Sequence, residues 1–461
     1  MISQALAHAV LTEALGTGGD FSELFLEDTE SSSIEMLDSR VENAVYGRRS
    51  GAGVRVFSGL ASAYAYTADL SEKALLATAR AAAAALSGAK RGAAAVFSPR
   101  PDGAAPRIPF SGIDNAARIR LLRDGSGAAK AYSPAVMKVT AVYKDIDRRV
   151  FVANSEGVFA GDRQCRTRIA FEAVASDGKS SQTGFNGPGR GMGFEAYEII
   201  DAAEAGREAA RVAVTMLSAP ECPAGVMPVV LSGGFGGVIF HEACGHSLEA
   251  TAVAKGNSEF SGKLGERIAN ERVTAVDDAT IPGAWGSYRM DDEGNPGRRT
   301  VLIEKGILKS YLVDRFGARR MGVPPTGCAR RQDYGFAPTS RMSNTFIQAG
   351  EDDEDEMLRT MGDGLYAKTM GGGSVNPITG EFNFSVAEGY WVKNGALHTP
   401  VRGAALIGKG GEVLLNIDRV GKHMWLAEGM CGSQSGSLPV TVGQPQLRVS
   451  RITVGGKGGS L

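Results

Sequence analysis

The 461-residue sequence predicts an α+β protein: an N-terminal α+β region of strands and long helices with a hint of duplication, then a β-rich C-terminal domain carrying a HExxxH helix. Three observations predict it. Strand-like alternation gives way twice to a long alanine-rich helical stretch. A Pro/Gly-containing break, SAPECPAGV at 218–226, follows the second stretch. Beyond that break most segments read as strands and hairpins. These breaks set expected boundaries of 1–105, 106–222 and 223–461.

MISQALAHAVLTEALG opens as an amphipathic helix, with no basic n-region and with Glu13 inside its apolar stretch, so it does not read as a signal peptide. Phe21 to Leu26 alternates as a half-buried strand, and the following segment to about residue 69 reads as a meander of short strands broken at glycines. Leu70 to Leu86 is helical, with Ser71 and Glu72 in its first turn. Residues 88–112, rich in Pro, Gly, Ala and Arg, form a connection. The order then repeats: a helix from Ile113 to Lys130, alternating strands between Met137 and Thr183, a glycine turn, and a helix from Ile199 to Leu217.

In the last region VMPVVLS is a short strand, GGFGG a turn, and Val238 to Ala250 a helix. RTVLIEKGILKSYLVD reads as a hairpin turning at Lys305-Gly306, and similar patterns occur at YWVKNGALHTPVRG and PQLRVSRITVGG. GGGSVNPITG reads as a turn between strands. The acidic run Glu351 to Glu356 suits a helix N-terminus, not a calcium loop, because the EF-hand spacing and its glycine are absent.

Bulk properties narrow the function. Fifty basic residues against 51 acidic ones give a net charge of -1, a poor match for phosphate neutralisation, so no nucleic-acid partner is expected. Five scattered cysteines without a CxxC pair do not form a disulfide framework. No apolar run approaches the ~18–20 residues that span a bilayer, so no membrane is expected and the expected location is cytoplasmic.

The chemistry concentrates at His241-Glu242-Ala243-Cys244-Gly245-His246. Neutral imidazoles are zinc ligands, and an adjacent carboxylate can take a proton from an activated water. In H-E-x-x-H the histidines share one helix face. Here the second lies at i+5, which on an ideal helix turns it roughly 140° away. The spacing therefore demands a π-type bulge, placed at Gly245 because glycine tolerates unusual backbone angles. Two of the five histidines of the chain fall in this segment. A third ligand is wanted, and Cys431, Glu249, His423 and His398 are the candidates. Cys431 sits in GMCGSQSG, read as a flexible loop, and Glu249 could instead hold an imidazole from outside the metal; His423 and His398 read as surface residues. The residues alone leave Cys431 and Glu249 open. Cys244 reads as core. GGFGG completes neither a dinucleotide fingerprint nor a P-loop, and GSQSG is not a nucleophile elbow.

HEACGHSLEA resembles the HEAxGHxLE segment of the metal-bearing members of the TldD/PmbA metallopeptidase family. The resemblance extends through DDEGNPGRRTVLIEKGILKSYLVD, PPTGCARR, RMSNT, GLYAKTMGGGSVNPITGEFNFS and GMCGSQSGSLPVTVGQPQLRVSRITVGG, in the same order, and forward to GAGVRVFSGLASAYAY. It implies a cytoplasmic peptidase with zinc held by His241, His246 and Cys431, and Glu242 as the catalytic glutamate. It also implies unfolded peptide substrates bound as added strands, and a dimer, formed with a PmbA/TldE-like homologue or with a second copy. Iron is an alternative metal for such donors. Two competing readings remain. A non-catalytic partner or regulator, of the kind tied to DNA gyrase, is disfavoured by the intact His241, Glu242 and His246. A dipeptidyl-peptidase III type of HExxxH enzyme, with a glutamate as third ligand, is disfavoured by the β-rich surroundings and the Cys431 segment.

Overall fold

The computed structural model describes residues 2–86, 88, 92–101, 103–376 and 378–459. Of the connection expected at 88–112, residues 89–91 and 102 lie outside the described residues, as does Pro377 of the turn expected in GGGSVNPITG.

The expected α+β architecture is what forms. Helix α1 (Gln4–Ala14) precedes three strands, β1 (Phe21–Leu37), β2 (Arg40–Ser58) and β3 (Ala61–Thr67), and helix α2 (Glu72–Ala84) follows. After the short strand β4 (Ser98–Arg100), the same succession recurs: α3 (Asn115–Tyr132), β5 (Val136–Asn154), β6 (Val158–Ser176), β7 (Ser181–Asn186), the short β8 (Gly189–Arg190), and α4 (Ala202–Leu217). Side-chain caps start these helices: Ser3, Ser71, Asp114 and Asp201 each accept from a backbone N–H of the first turn, Ser71 standing just ahead of the turn in which it was expected.

The two units join edge to edge in one eight-stranded sheet of order β3-β2-β1-β5-β6-β4, with β7 and β8 also on β6. β1 and β5 pair antiparallel from Glu23↔Asn154 to Leu37↔Thr140. Leu24 with Phe151 and Ala153 packs against α1 and α2, and Ile34 with Ala141 and Tyr143 packs against α3 and α4. These positions share a parity, so both helix pairs cover the same face of the sheet.

The expected meander of short strands is instead two strands of 17 and 19 residues plus one of 7. Glycines 51 and 53 stand inside β2 as a consequence of close approach: a Cβ at Gly51 would strike the Tyr334 ring, and one at Gly53 the Tyr64 hydroxyl.

The opposite sheet face meets the C-terminal half through buried charge. Arg55 bridges Glu23 at 2.9 Å and Glu293 at 2.6 Å, Arg331 reaches Glu23 at 2.9 Å, and Arg148 reaches Asp292 at 3.1 Å. Phe25, Val150, Val152 and Met290 form an apolar patch beside them.

The C-terminal half holds two larger β-systems. One runs Gly364–Val375, Gly225–Leu231, Leu447–Gly455, Ala405–Lys409, Glu381–Lys393, and closes because the first and last of these also pair with each other. The other is a six-stranded sheet ending in Asn344–Ile347, Gly436–Gln444 and the edge strand Trp425–Ser433. Expected hairpins turn where positive φ allows, at Lys305-Gly306 and Asn394-Gly395. PQLRVSRITVGG differs: Leu447–Gly455 is one strand with a register shift between Val449 and Ile452. The acidic run does start a helix, Glu354–Arg359, capped by Asp353. Among the described residues no helix is long and apolar enough to cross a membrane.

Candidate metal centre

The segment expected as a helix from Val238 to Ala250, with a π-type bulge, is a composite. A short α-turn at Val238–Phe240 runs into a π-helical turn at His241–Gly245, then a 3-10 turn at His246–Leu248. The π-turn absorbs the extra residue of HExxxH. It brings the two imidazoles together, with ring centroids 5.2 Å apart and planes at 82°. Ile239, Phe240, Ala243 and Cys244 anchor the segment in the C-terminal core. Burial pushes the Cys244 thiol well up, which keeps it an inert packing group.

Gly245 lies in the bulge, but its backbone is ordinary helix, φ -57° and ψ -50°. Its expected role as a tolerant hinge is therefore replaced by a steric one. A Cβ there would overlap Met342 Sδ, and Met342 is itself buried.

Cys431 comes from a strand, not the flexible loop expected for GMCGSQSG. Trp425–Ser433 pairs with Gly436–Gln444, Cys431 opposite Leu438, and Gly436 at φ 88° closes the turn. Its Sγ lies 3.1 Å from His246 Nε2. Ligand atoms of His241, His246 and Cys431 all lie within 4.8 Å of one another. Of the four third-ligand candidates, Cys431 is the one brought to the histidines in this way. His423 is exposed and faces Glu354 at 3.2 Å, and His398 is exposed on Ala396–Val401.

Glu249 takes the other position considered for it. The helical path ends at Leu248, and Glu249 is extended, φ -76° and ψ 134°, not on the same helix face as His246. Its Oε2 accepts from His246 Nδ1 at 3.1 Å. An acceptor at Nδ1 favours a proton there and so reserves Nε2, the nitrogen that faces Cys431 Sγ, for a metal.

Among the described residues neither ring nitrogen of His241 has a hydrogen-bond partner, in a residue only 1% exposed. Burial, then the neighbouring His246, Arg341 and Arg330, holds its pKa well below the usual histidine range, so the imidazole is neutral. Burial also opposes charge on His246, but Glu249 and Cys431 outweigh it and raise that pKa well above the usual range. Two imidazoles and a thiol around one point, one imidazole orphaned in the interior, fit a soft or borderline cation. Tetrahedral zinc sets its N and S donors about 3.3–3.6 Å apart, within the observed spread.

Glu242 stands beside this cluster with its Oε2 3.7 Å from His246 Nε2. It is partly open to solvent, and burial raises its pKa against the lowering effect of His246.

Sequence reasoning gave Arg341 no role. It is fully buried and donates to the Cys431 carbonyl at 2.6 Å, to Ser435 Oγ at 3.1 Å and to the Gly436 carbonyl at 2.9 Å. Its Nε lies 4.0 Å from Glu249 Oε1. One guanidinium thus ties the Cys431 hairpin to the carboxylate that holds His246. Its presence in RMSNT was the available signal, but the partners lie 90 or more residues away in sequence. Asp277 fixes the same segment, accepting from Ser343 N and Oγ at 2.7 Å each and from Thr345 Oγ1 at 2.6 Å.

Comparison with known proteins agrees with this architecture along the chain. Three family models match in sequence order, the PmbA/TldA metallopeptidase domain 1 over 22–86, the central domain over 108–217, and the C-terminal domain over 224–456. A metalloprotease TldD homolog of Haemophilus influenzae is 36% identical over 452 residues, 95% of this chain and 93% of the relative.

The chain belongs to the TldD/PmbA family of metallopeptidases.

Other relatives carry the same activity in their names. A metalloprotease of Methanothermobacter thermautotrophicus is 35% identical over 95% of this chain and 96% of its own. A zinc metalloprotease TldD homolog of Saccharolobus solfataricus is 30% identical over 58% of this chain and 59% of its own. TldD/PmbA-type folds also appear among solved structures. TldE from Thermococcus kodakarensis superposes with TM-score 0.77 at 16% identity, covering 97% of this chain and 99% of that one. A candidate modulator of a DNA gyrase from Thermotoga maritima gives TM-score 0.79 at 22% identity, covering 98% and 100%.

Proposed function

We propose that this metallopeptidase is zinc-dependent and hydrolyses unfolded peptides or small proteins, with His241, His246 and Cys431 as metal ligands and Glu242 as the proton-transferring base. The observation that carries the reading is the meeting of Cys431 Sγ with His246 Nε2 at 3.1 Å, beside the partnerless His241 and next to Glu242. Zinc bound there supplies Lewis acidity to the attacking water and the scissile carbonyl. Glu242 Oε2 receives the water proton and delivers it to the leaving amine, a role suited to a carboxylate whose pKa burial has raised. Glu249 holds His246 in the ligating tautomer.

The name of the Saccharolobus relative supports zinc, which two imidazoles and one thiolate suit; iron is the alternative metal for the same donors. Substrate form is supported by the edge strand. Among the described residues Trp425–Ser433 pairs on one side only in its sheet; Arg341 and Trp285 already hold the Cys431 and Gly429 carbonyls, so an added peptide strand would use the remaining backbone groups of that edge. Such pairing needs an unengaged backbone and little side-chain recognition. The likeness to TldE supports a dimer, either with a PmbA/TldE-like homologue or between two copies. The reading also includes a cytoplasmic location and units at 1–105, 106–222 and 223–461, the last supported by the three family-model ranges.

The test is Glu242→Gln. The variant keeps its metal by elemental analysis and loses nearly all cleavage of an unstructured peptide; full cleavage would remove Glu242 from the mechanism.

A further inference from the structure

Between the N-terminal sheet and the C-terminal half lies a cavity of about 330 Å³ whose wall includes Met430 and Leu438, the latter paired opposite Cys431. Its lining is rich in arginine, and most of those arginines have carboxylate partners. Arg48 pairs with Asp28, Arg49 with Asp333, Arg148 with Asp292, and Arg331 with Glu23. Two lack one. Arg166 and Arg330 are 3% and 4% exposed, and among the described residues neither forms an ion pair.

What they have instead is neutral acceptors. Arg166 donates to the Trp285 and Ser287 carbonyls at 2.8 and 3.0 Å and to Gln164 Oε1 at 3.1 Å. Arg330 donates to the Met342 and Pro439 carbonyls at 2.5 and 2.7 Å and packs its guanidinium 5.2 Å from the Tyr288 ring centroid. A guanidinium has five N–H donors, so each retains more. The carboxylates nearby are already engaged: Asp292 by Arg148 and the Arg331 N–H, Asp162 by Arg289, Asp277 by Ser343 and Thr345. Asp291, also on the wall, is pushed toward its neutral acid by burial and by Glu293. Burial, then repulsion from Arg330 and Arg148, lowers the Arg166 pKa to about 9 against the more distant Asp162 and Asp292.

Two buried cations without a direct carboxylate contact are costly, and a cavity beside them gives an anion somewhere to pair with them. The cavity is linked to the metal centre through the Cys431 hairpin, whose Met430 and Leu438 line it, and through Arg330, which holds the carbonyl of the Met342 that packs on Gly245. We propose that this cavity binds a carboxylate of the peptide substrate, with Arg166 and Arg330 as its specificity-determining cations. This rests on the peptidase reading above and adds a substrate preference to it. The carboxylate belongs either to the peptide C-terminus or to an Asp or Glu side chain, and the test separates them.

One unstructured peptide is prepared as the free acid, as the C-terminal amide, and with its Asp and Glu replaced by Asn and Gln. Each is titrated onto the metal-loaded protein by fluorescence anisotropy, and its hydrolysis is followed separately. Removing the relevant carboxylate weakens binding roughly tenfold or more, the usual worth of a charge-assisted contact, and whichever change does so names the source. Arg166→Gln and Arg330→Gln erase the preference while still binding the neutral peptide. Equal affinity of the unaltered protein for all three peptides overturns the proposal, whether or not the variants fold. Preference retained in both folded variants overturns it as well. Preferential binding without hydrolysis would instead sink the peptidase reading and leave the carboxylate site standing.

Discussion

The α-carbon of Gly245 faces Met342 Sδ so closely that a methyl group at residue 245 has no room. The contact joins the π-turn that carries His241 and leads into His246 to the segment whose Arg341 holds the Cys431 hairpin.

Gly245→Ala is therefore expected to cost roughly 1–3 kcal/mol of stability, the usual penalty for overpacking, and to lower bound metal by displacing the π-turn. Urea unfolding and elemental analysis measure the two effects. Met342→Ala added to Gly245→Ala restores metal content if the overlap is the cause; a double variant as depleted as the single one points to another defect.

Glu249→Ala removes the acceptor that sets the His246 tautomer. Metal affinity should fall about 10–100-fold, as for other outer partners of a ligating histidine, with a smaller loss for Glu249→Gln. Competition against a chromogenic chelator reads both; unchanged affinity in each would deny Glu249 its positioning role.

Cys431→Ser exchanges a strong thiolate donor for a weak hydroxyl at nearly constant volume. Metal content should drop sharply while the fold, read by circular dichroism, stays intact. Retained stoichiometric metal would return the third-ligand role to Glu249.

Asp277 gives a pH signature. Burial pushes its pKa up to about 6 against the donated hydrogen bonds of Thr345 and Ser343, from about 3.9 in an unfolded chain. Because the folded value is the higher, its favourable contribution is complete below about pH 4 and is lost as pH rises through 6. Asp277→Asn lacks this titration. The stability difference between wild type and variant should shrink by roughly 1–1.5 kcal/mol from pH 5 to pH 7.5 in urea melts. A difference independent of pH would mean that Asp277 is charged throughout.

Local rules made much of this legible. Caps such as Ser71 and Asp114 lie within a few residues of the backbone they serve, and the i+5 histidine spacing carries its own demand for a π-turn. Pairing over distance was less visible. Nothing local in β1 says that its free edge will take β5, and the glycines of β2 look like strand breaks until Tyr334 and Tyr64 are in place. Arg341 was opaque for the same reason: its acceptors at 431, 435 and 436 share no period or spacing with it.

Cys431 and His246 stand 185 residues apart (431 − 246) with their donor atoms at 3.1 Å. In a disordered chain, closing a loop of that length costs on the order of 4–5 kcal/mol in entropy, so the full donor set has no short-range precursor. It is complete only where the six-stranded sheet that carries Cys431 meets the segment that carries the histidines. On the proposed assignment, hydrolytic competence depends on correct tertiary structure: a misfolded copy would lack the donor set, and the fold would act as its own safety catch.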